Sequence, residues 1–271
     1  MRPEPHFFYY TDKYNRGISW YESEWFSEYN NQKAVGERSS SYLYHEDSAI
    51  RIKKHLPNVK LVFVLRNPVE RAWANYRYTV LSGLEDLSFE QALDQEHIRI
   101  KNAQGIWAEV QPHDYTGRSF YGRQLGHYLN YFPWNQILVI SSEQLSLNPQ
   151  AQVDIITKFL EVPNFETFQV PPSFTSLSVK DPKIQLQCRQ VLGAQKFNHI
   201  VEAVRREETS LEEFSENSSE KDMIRSLLDN MDDKKQPIDP VIAKRLAKLF
   251  EEDQKKFFHI ASKHIDFGQW L

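Results

Sequence analysis

Within Lys60–Leu65 (KLVFVL), five consecutive apolar residues lead directly into Arg66-Asn67-Pro68. Beyond them Val69, Ala72, Trp73, Tyr76 and Val80 recur at helical spacing up to Gly83. A run this short and this apolar suits a strand covered on both faces, the usual state of a strand in a parallel sheet. Asn67 suits a helix cap, Pro68 the first turn, where its missing N–H is not needed, and Gly83 the stop. The same order returns at Gln136–Ser141 (QILVIS), after which Asn148-Pro149 opens a helix carrying Val153, Ile156, Phe159 and Leu160 on one face. Two strand-plus-helix units predict an α/β fold built on a central parallel sheet flanked by helices.

Three further segments complete the organisation. From Tyr121, the residues Tyr121, Leu125, Tyr128, Leu129 and Phe132 form an apolar stripe that reads as core. Asp239-Pro240 reads as a cap with a first-turn proline, ahead of Leu246, Leu249, Phe250, Phe257 and Ile260 at helical spacing. Arg205–Lys235 mixes acids, bases, Ser and Asn and reads as a polar insertion or mobile loop within a single domain, residues 1–271. At the start, residues 1–8 carry an aromatic, strand-like pattern.

Composition narrows the function classes. With 33 Lys and Arg against 37 Asp and Glu, net charge −4, the chain lacks the basic surplus of a generic nucleic-acid binder, while leaving room for a local basic pocket. The single cysteine, Cys188, allows no intrachain disulfide and suits a reducing compartment. No run of about 18 apolar residues and no charged-then-apolar leader is present. A cytoplasmic protein without a membrane span is therefore expected. The nine histidines are scattered and show no His-Glu-x-x-His spacing, so no metal site is expected.

In open parallel sheets, ligands bind at the carboxyl ends of strands, where helix N-termini offer N–H groups to anions. Arg66 stands at that position. Its planar guanidinium either grips a phosphate through several charge-assisted hydrogen bonds or pairs with a surface carboxylate.

Leu65-Arg66-Asn67-Pro68-Val69-Glu70-Arg71, with Tyr76 beyond, resembles the 3′-phosphate-binding segment of sulfotransferases that use 3′-phosphoadenosine 5′-phosphosulfate (PAPS). Six more segments fall in the order seen in heparan-sulfate glucosaminyl sulfotransferases and related bacterial enzymes. They are Glu4-Pro5-His6-Phe7-Phe8, Gly17–Tyr21, Gly36-Glu37-Arg38, Ser119-Phe120-Tyr121, Tyr131-Phe132-Pro133, and Asp239-Pro240 with Lys255-Lys256-Phe257-Phe258. Each motif alone is weak; their collinear order across nearly the whole chain is specific.

The resemblance implies a P-loop-NTPase-like sulfotransferase fold and in-line transfer of a sulfuryl group from PAPS to a hydroxyl or amino group, without a metal. The implied acceptor is a carbohydrate or another small hydroxylated molecule. Glu4 matches the family's catalytic glutamate and would take the acceptor proton. His6 would lie on the same side if the segment is extended, either steadying Glu4 or the sulfonate or packing as a core histidine. Arg38 falls where the heparan-type enzymes carry a lysine, implying a cation on acceptor or sulfonate, with a surface ion pair as the alternative and Glu37 as a residue that fixes its rotamer. Arg66 and Arg71 would serve the nucleotide. Arg118 and Tyr121 match a segment near the cleft, core packing being the other reading for Tyr121. Lys234 and Lys235 precede the last helix where the family has a basic loop over the nucleotide, unless they are a solvated charge run.

Three departures stand beside the match. The family's Gly-rich 5′-phosphosulfate loop with its lysine should precede Glu4, yet three residues do, so the first strand, loop and helix are missing and weak or no activity is expected. The family's 3′-phosphate serine is Ala74, which removes a hydroxyl contact worth roughly 1–3 kcal/mol unless Asn75 or Arg71 compensates. The glycine of the C-terminal loop and the paired cysteines of animal enzymes are absent, which points to a bacterial-type relative. A second reading follows from these departures: a non-catalytic module that keeps the fold and binds a nucleotide or glycan.

Overall fold

A computed structural model describes residues 4–166, 177–206, 218–234 and 236–261. Both strand-plus-helix units form. Strand β1 (Leu61–Leu65) pairs in parallel with β2 (Ile137–Ser141), with Phe63 opposite Val139. The helices Pro68–Leu81 and Pro149–Leu160 follow them, each opening on its proline. The expected burial of β1 on both faces is only half met. Phe63 packs edge-on against Tyr128 at 5.0 Å and Leu65 is buried, whereas Val64, on the opposite face, is 49% exposed. Among the described residues this sheet has two strands, so β1 has a hydrogen-bonded neighbour along one edge alone.

The chain divides into two compact units that alternate along the sequence. Residues 1–68, 120–170 and 249–271 make the first, and 69–119 with 171–248 the second. The core of the first unit joins Phe7, Phe8, Tyr21, Ile52, Leu65, Leu125, Tyr128, Phe132, Ile137, Val139 and Phe257. The expected stripe from Tyr121 is the buried face of the helix Tyr121–Leu129. That helix has no side-chain cap of its own. Asp253 instead accepts the free N–H groups of Gly122 and Arg123 at 2.7 and 2.9 Å.

In the second unit, helix Pro68–Leu81 ends where expected: Gly83 sits at φ +62°, and Gly83 and Leu84 donate N–H to the carbonyls of Val80 and Thr79. The helix Phe89–Asn102 starts with a capping box between Ser88 and Gln91. Asp239 caps the helix Pro240–Ala261 as expected, its Oδ1 accepting from Val241 and Ile242.

The polar stretch 205–235 departs from the expected loop. Residues Ser218–Asn230 form a helix with Ile224 and Leu227 buried, and Met231–Asp232 (β4) pairs antiparallel with Ser178–Val179 (β3). Met223, Ile224, Leu227 and Leu228 supply a narrow helical stripe that the surrounding charge obscures. Residues 207–217 and Lys235 lie outside the described residues.

Candidate active site

The segment around Glu4 is a turn rather than the extended strand expected. His6 adopts φ +51°, and its carbonyl accepts the N–H groups of Tyr9 and Tyr10 at 3.2 and 3.0 Å. The reversal is over-determined by its surroundings. Phe7 stacks on Tyr21 at 4.4 Å, the Phe8 N–H donates to the Tyr42 hydroxyl, and Ser48 and Arg51 donate to the Phe8 carbonyl. Phe7, Phe8 and Tyr9 are buried, so the motif's aromatic residues anchor the turn that presents Glu4 and His6.

Glu4 and His6 do meet, through this turn and not through strand alternation. His6 Nε2 is 3.1 Å from Glu4 Oε2. The same oxygen accepts both the Ser40 N–H and the Ser40 hydroxyl at 2.8 Å. Arg38 Nε lies 3.1 Å from the other oxygen, Oε1. Burial works to raise the Glu4 carboxyl, but the His6 and Ser40 hydrogen bonds outweigh it and hold it down at about 2. Glu4 is thus an anion throughout the physiological range. Among the described residues, His6 Nδ1 is buried without a hydrogen-bond partner.

A second carboxylate supports the first. Glu37 accepts from Ser39 Oγ at 2.9 Å and from Tyr21 OH at 3.4 Å, and Tyr42 also hydrogen-bonds to it. Burial raises its carboxyl above the usual range. Ser39 Oγ in turn accepts the His6 N–H at 2.9 Å. Glu37 therefore orders the turn through Ser39, and the expectation that it fixes Arg38 gives way: Arg38 faces Glu4. Ser39, Ser40 and Tyr42 were not singled out in the sequence, although the run Ser39-Ser40-Ser41 directly after Gly36-Glu37-Arg38 is a visible supply of short donors.

Arg66 is half-buried at the carboxyl end of β1, immediately before the helix Pro68–Leu81. The turn between them is tied down by Glu143, whose Oε1 accepts the Asn67 N–H at 2.9 Å while Oε2 accepts from the Ser141 and Ser142 hydroxyls. A guanidinium at a strand end beside the start of a fourteen-residue helix fits a phosphate, although the Asn67 N–H is already engaged. Tyr121 is buried and faces Phe257 at 6.2 Å, so its ring takes part in the core.

Arg71, Arg118 and Lys234 belong to the second unit. Arg71 donates to the Tyr115 carbonyl at 3.2 Å and to Asn75 Oδ1 at 3.0 Å, and Asn75 donates to the Pro112 carbonyl. Arg118 donates to the Val110 carbonyl at 2.6 Å. Lys234 is exposed, with its backbone N–H on Asp232. Among the described residues, no group of three or more His, Cys, Asp or Glu is placed to hold a metal ion, and no helix is long and apolar enough to cross a membrane.

Comparison with known proteins bears out the family resemblance. Human heparan sulfate glucosamine 3-O-sulfotransferase 6 is 34% identical over 158 residues, covering 58% of this chain and 43% of the human protein. Human heparan sulfate glucosamine 3-O-sulfotransferase 3B1 is 29% identical over 157 residues, covering 58% and 38%. The chain thus spans less than half the length of these curated relatives. A crystal structure of a sulfotransferase from Alicyclobacillus acidocaldarius shares the fold, with a TM-score of 0.65 at 21% identity over 99% of this chain and 86% of that one. The sulfotransferase domain model itself matches residues 3–258, and the chain belongs to that family.

Proposed function

We propose that this chain moves a sulfuryl group from PAPS to a hydroxyl or amino group of a carbohydrate or other small hydroxylated acceptor. The single observation that carries the reading is the Glu4 carboxylate, held ionised by His6 and Ser40 in the turn that the motif Glu-x-His-Phe-Phe builds. PAPS supplies an activated sulfonate with adenosine 3′,5′-bisphosphate as leaving group. Glu4, an anion before the reaction, takes the proton of the attacking group as the new S–O or S–N bond forms and the S–O bond to adenosine 3′,5′-bisphosphate breaks. His6 orients Glu4. Arg66 binds the nucleotide's 3′-phosphate, with Arg71 and Lys234 as further nucleotide contacts and Arg38 and Arg118 as acceptor contacts, while Tyr121, buried in the core, supports the cleft from behind.

Two variants separate chemistry from binding. Glu4→Gln is expected to abolish transfer of labelled sulfate from PAPS to a glucosamine-containing oligosaccharide while leaving affinity for adenosine 3′,5′-bisphosphate within about twofold, since uniform binding does not depend on the base. Arg66→Ala is expected to lower that nucleotide affinity by a factor of at least ten, the loss of a charge-assisted phosphate contact. Unchanged calorimetric affinity in Arg66→Ala refutes the nucleotide site. Nucleotide or glycan binding with no turnover in the unmodified protein favours the non-catalytic module instead.

A further inference from the structure

Leu65 and Ser141 are the last paired residues of β1 and β2, and Arg66 follows at once, ahead of the helix that opens on Pro68. The connection is held by a side chain from the continuation of the neighbouring strand. Glu143 stands in the first turn of the helix Ser142–Leu147, whose cap, Ser141 Oγ, accepts the Gln144 N–H at 3.3 Å. Its Oε1 accepts the Asn67 N–H at 2.9 Å, and its Oε2 accepts from the Ser141 and Ser142 hydroxyls at 2.8 and 3.2 Å. One carboxylate thus joins the two strand ends where the backbone ladder stops. Burial works to raise the Glu143 carboxyl, but those donors leave it below its ordinary value, so it is an anion at neutral pH. Asn67, whose N–H it holds, is the residue after Arg66. Acting through charge alone, an anion placed there opposes the binding of a phosphate by Arg66. Its benefit lies in geometry: a guanidinium grips phosphate through directed hydrogen bonds, which weaken steeply when the backbone that carries it turns.

We propose that Glu143 is a positioning residue of the nucleotide site: by tying the Asn67 N–H to the end of β2 it aims Arg66 at the phosphate, and this outweighs the repulsion of its own charge. This role of Glu143 rests on the nucleotide reading of Arg66, and the two can fail separately.

Three variants part geometry from charge. Glu143→Gln loses the charge and keeps the reach, its amide oxygen accepting from Asn67 and its nitrogen donating to the serine hydroxyls. Glu143→Ala loses both, and Glu143→Asp keeps the charge on a side chain one methylene shorter. Affinity for adenosine 3′,5′-bisphosphate is measured by calorimetry, well below the unfolding midpoint of each protein. Glu143→Gln is expected to bind as tightly as the unmodified chain or up to about fivefold more tightly, because a repulsive charge is gone. Glu143→Ala is expected to bind about tenfold more weakly than Glu143→Gln; both lack the charge, so that ratio reports the tie alone. Should Glu143→Ala not fold, Glu143→Asp against the unmodified chain gives the same comparison at constant charge, with the same tenfold loss expected. In an Arg66→Ala background the ratio is expected to fall to about one, since no guanidinium is left to aim. Equal affinities within the pair compared overturn the positioning role, as does a gap that persists without Arg66. If Arg66→Ala weakens binding while the pair stays equal, the nucleotide site stands and the positioning role alone falls. If Arg66→Ala changes nothing, or the unmodified chain binds no bisphosphate, the nucleotide site falls and takes the role of Glu143 with it.

Discussion

Glu96 offers a quantitative test of how burial tunes this fold. It lies on the helix Phe89–Asn102, is 7% exposed, and accepts the Thr116 N–H at 2.6 Å on one oxygen and the Thr116 hydroxyl at 2.7 Å on the other. Burial, aided by the nearby Asp114 carboxylate, outweighs those hydrogen bonds and raises its carboxyl from 4.5 to about 7. The folded state therefore binds the proton more tightly than the unfolded chain. Stability is greatest below about pH 4.5 and falls as pH rises to about 7, after which the loss is constant. At about 1.4 kcal/mol per tenfold change in proton affinity, the full loss is roughly 3 kcal/mol. Glu96→Gln removes the titration and keeps both partners, the amide oxygen accepting from the Thr116 N–H and the amide nitrogen donating to its hydroxyl. Urea unfolding at pH 5, 6, 7 and 8 should show the variant close to the unmodified protein at pH 5 and about 2–3 kcal/mol more stable at pH 8. A difference that does not change with pH, or a variant less stable at pH 8, refutes the argument.

Other perturbations follow from single contacts. Arg99 pairs with Glu85, whose side chain is fully buried and also accepts from Tyr115 OH and the N–H groups of Asp86 and Leu87. Arg99→Ala should cost about 3 kcal/mol in a neutral-pH urea melt, the low end for orphaning a buried charge because three donors remain. Burial works to raise the Glu85 carboxyl, yet Arg99 and those donors leave it below its ordinary value. The pair's stability is thus present above about pH 4.5 and lost in acid, and the difference between the two proteins should shrink there. A Cβ at Gly122 would run into the Asp253 carbonyl oxygen and come within 3.0 Å of the Phe257 amide nitrogen, so Gly122→Ala should destabilise by about 2 kcal/mol, read from the unfolding midpoint.

Periodic features were legible in the chain itself. β1 and β2 with their following helices, the stop at Gly83, the cap at Asp239 and the stripe beginning at Tyr121 all depend on neighbours within a few residues, and their spacing shows in the order of apolar and turn-forming side chains. The family was legible too, because its motifs are short and occur in order. Where polar composition hid a narrow stripe, as at Ser218–Asn230, the same reading failed.

The candidate site was legible only as a set of residue types. That Glu4 belongs with His6 could be read from two positions; that its remaining donors come from Ser40, 36 residues away, could not. Nor did any local pattern place His6 at φ +51°, send Arg38 to Glu4 instead of Glu37, or make Asp253 the cap of a helix 131 residues earlier. A buried N–H or carboxylate requires a partner, but packing decides which distant segment supplies it. The order of side chains by itself determined the elements and the chemistry on offer. Tertiary structure decided which donors surround each carboxylate, and through them which one stays ionised at Glu4 and which one, at Glu96, holds its proton to about 7.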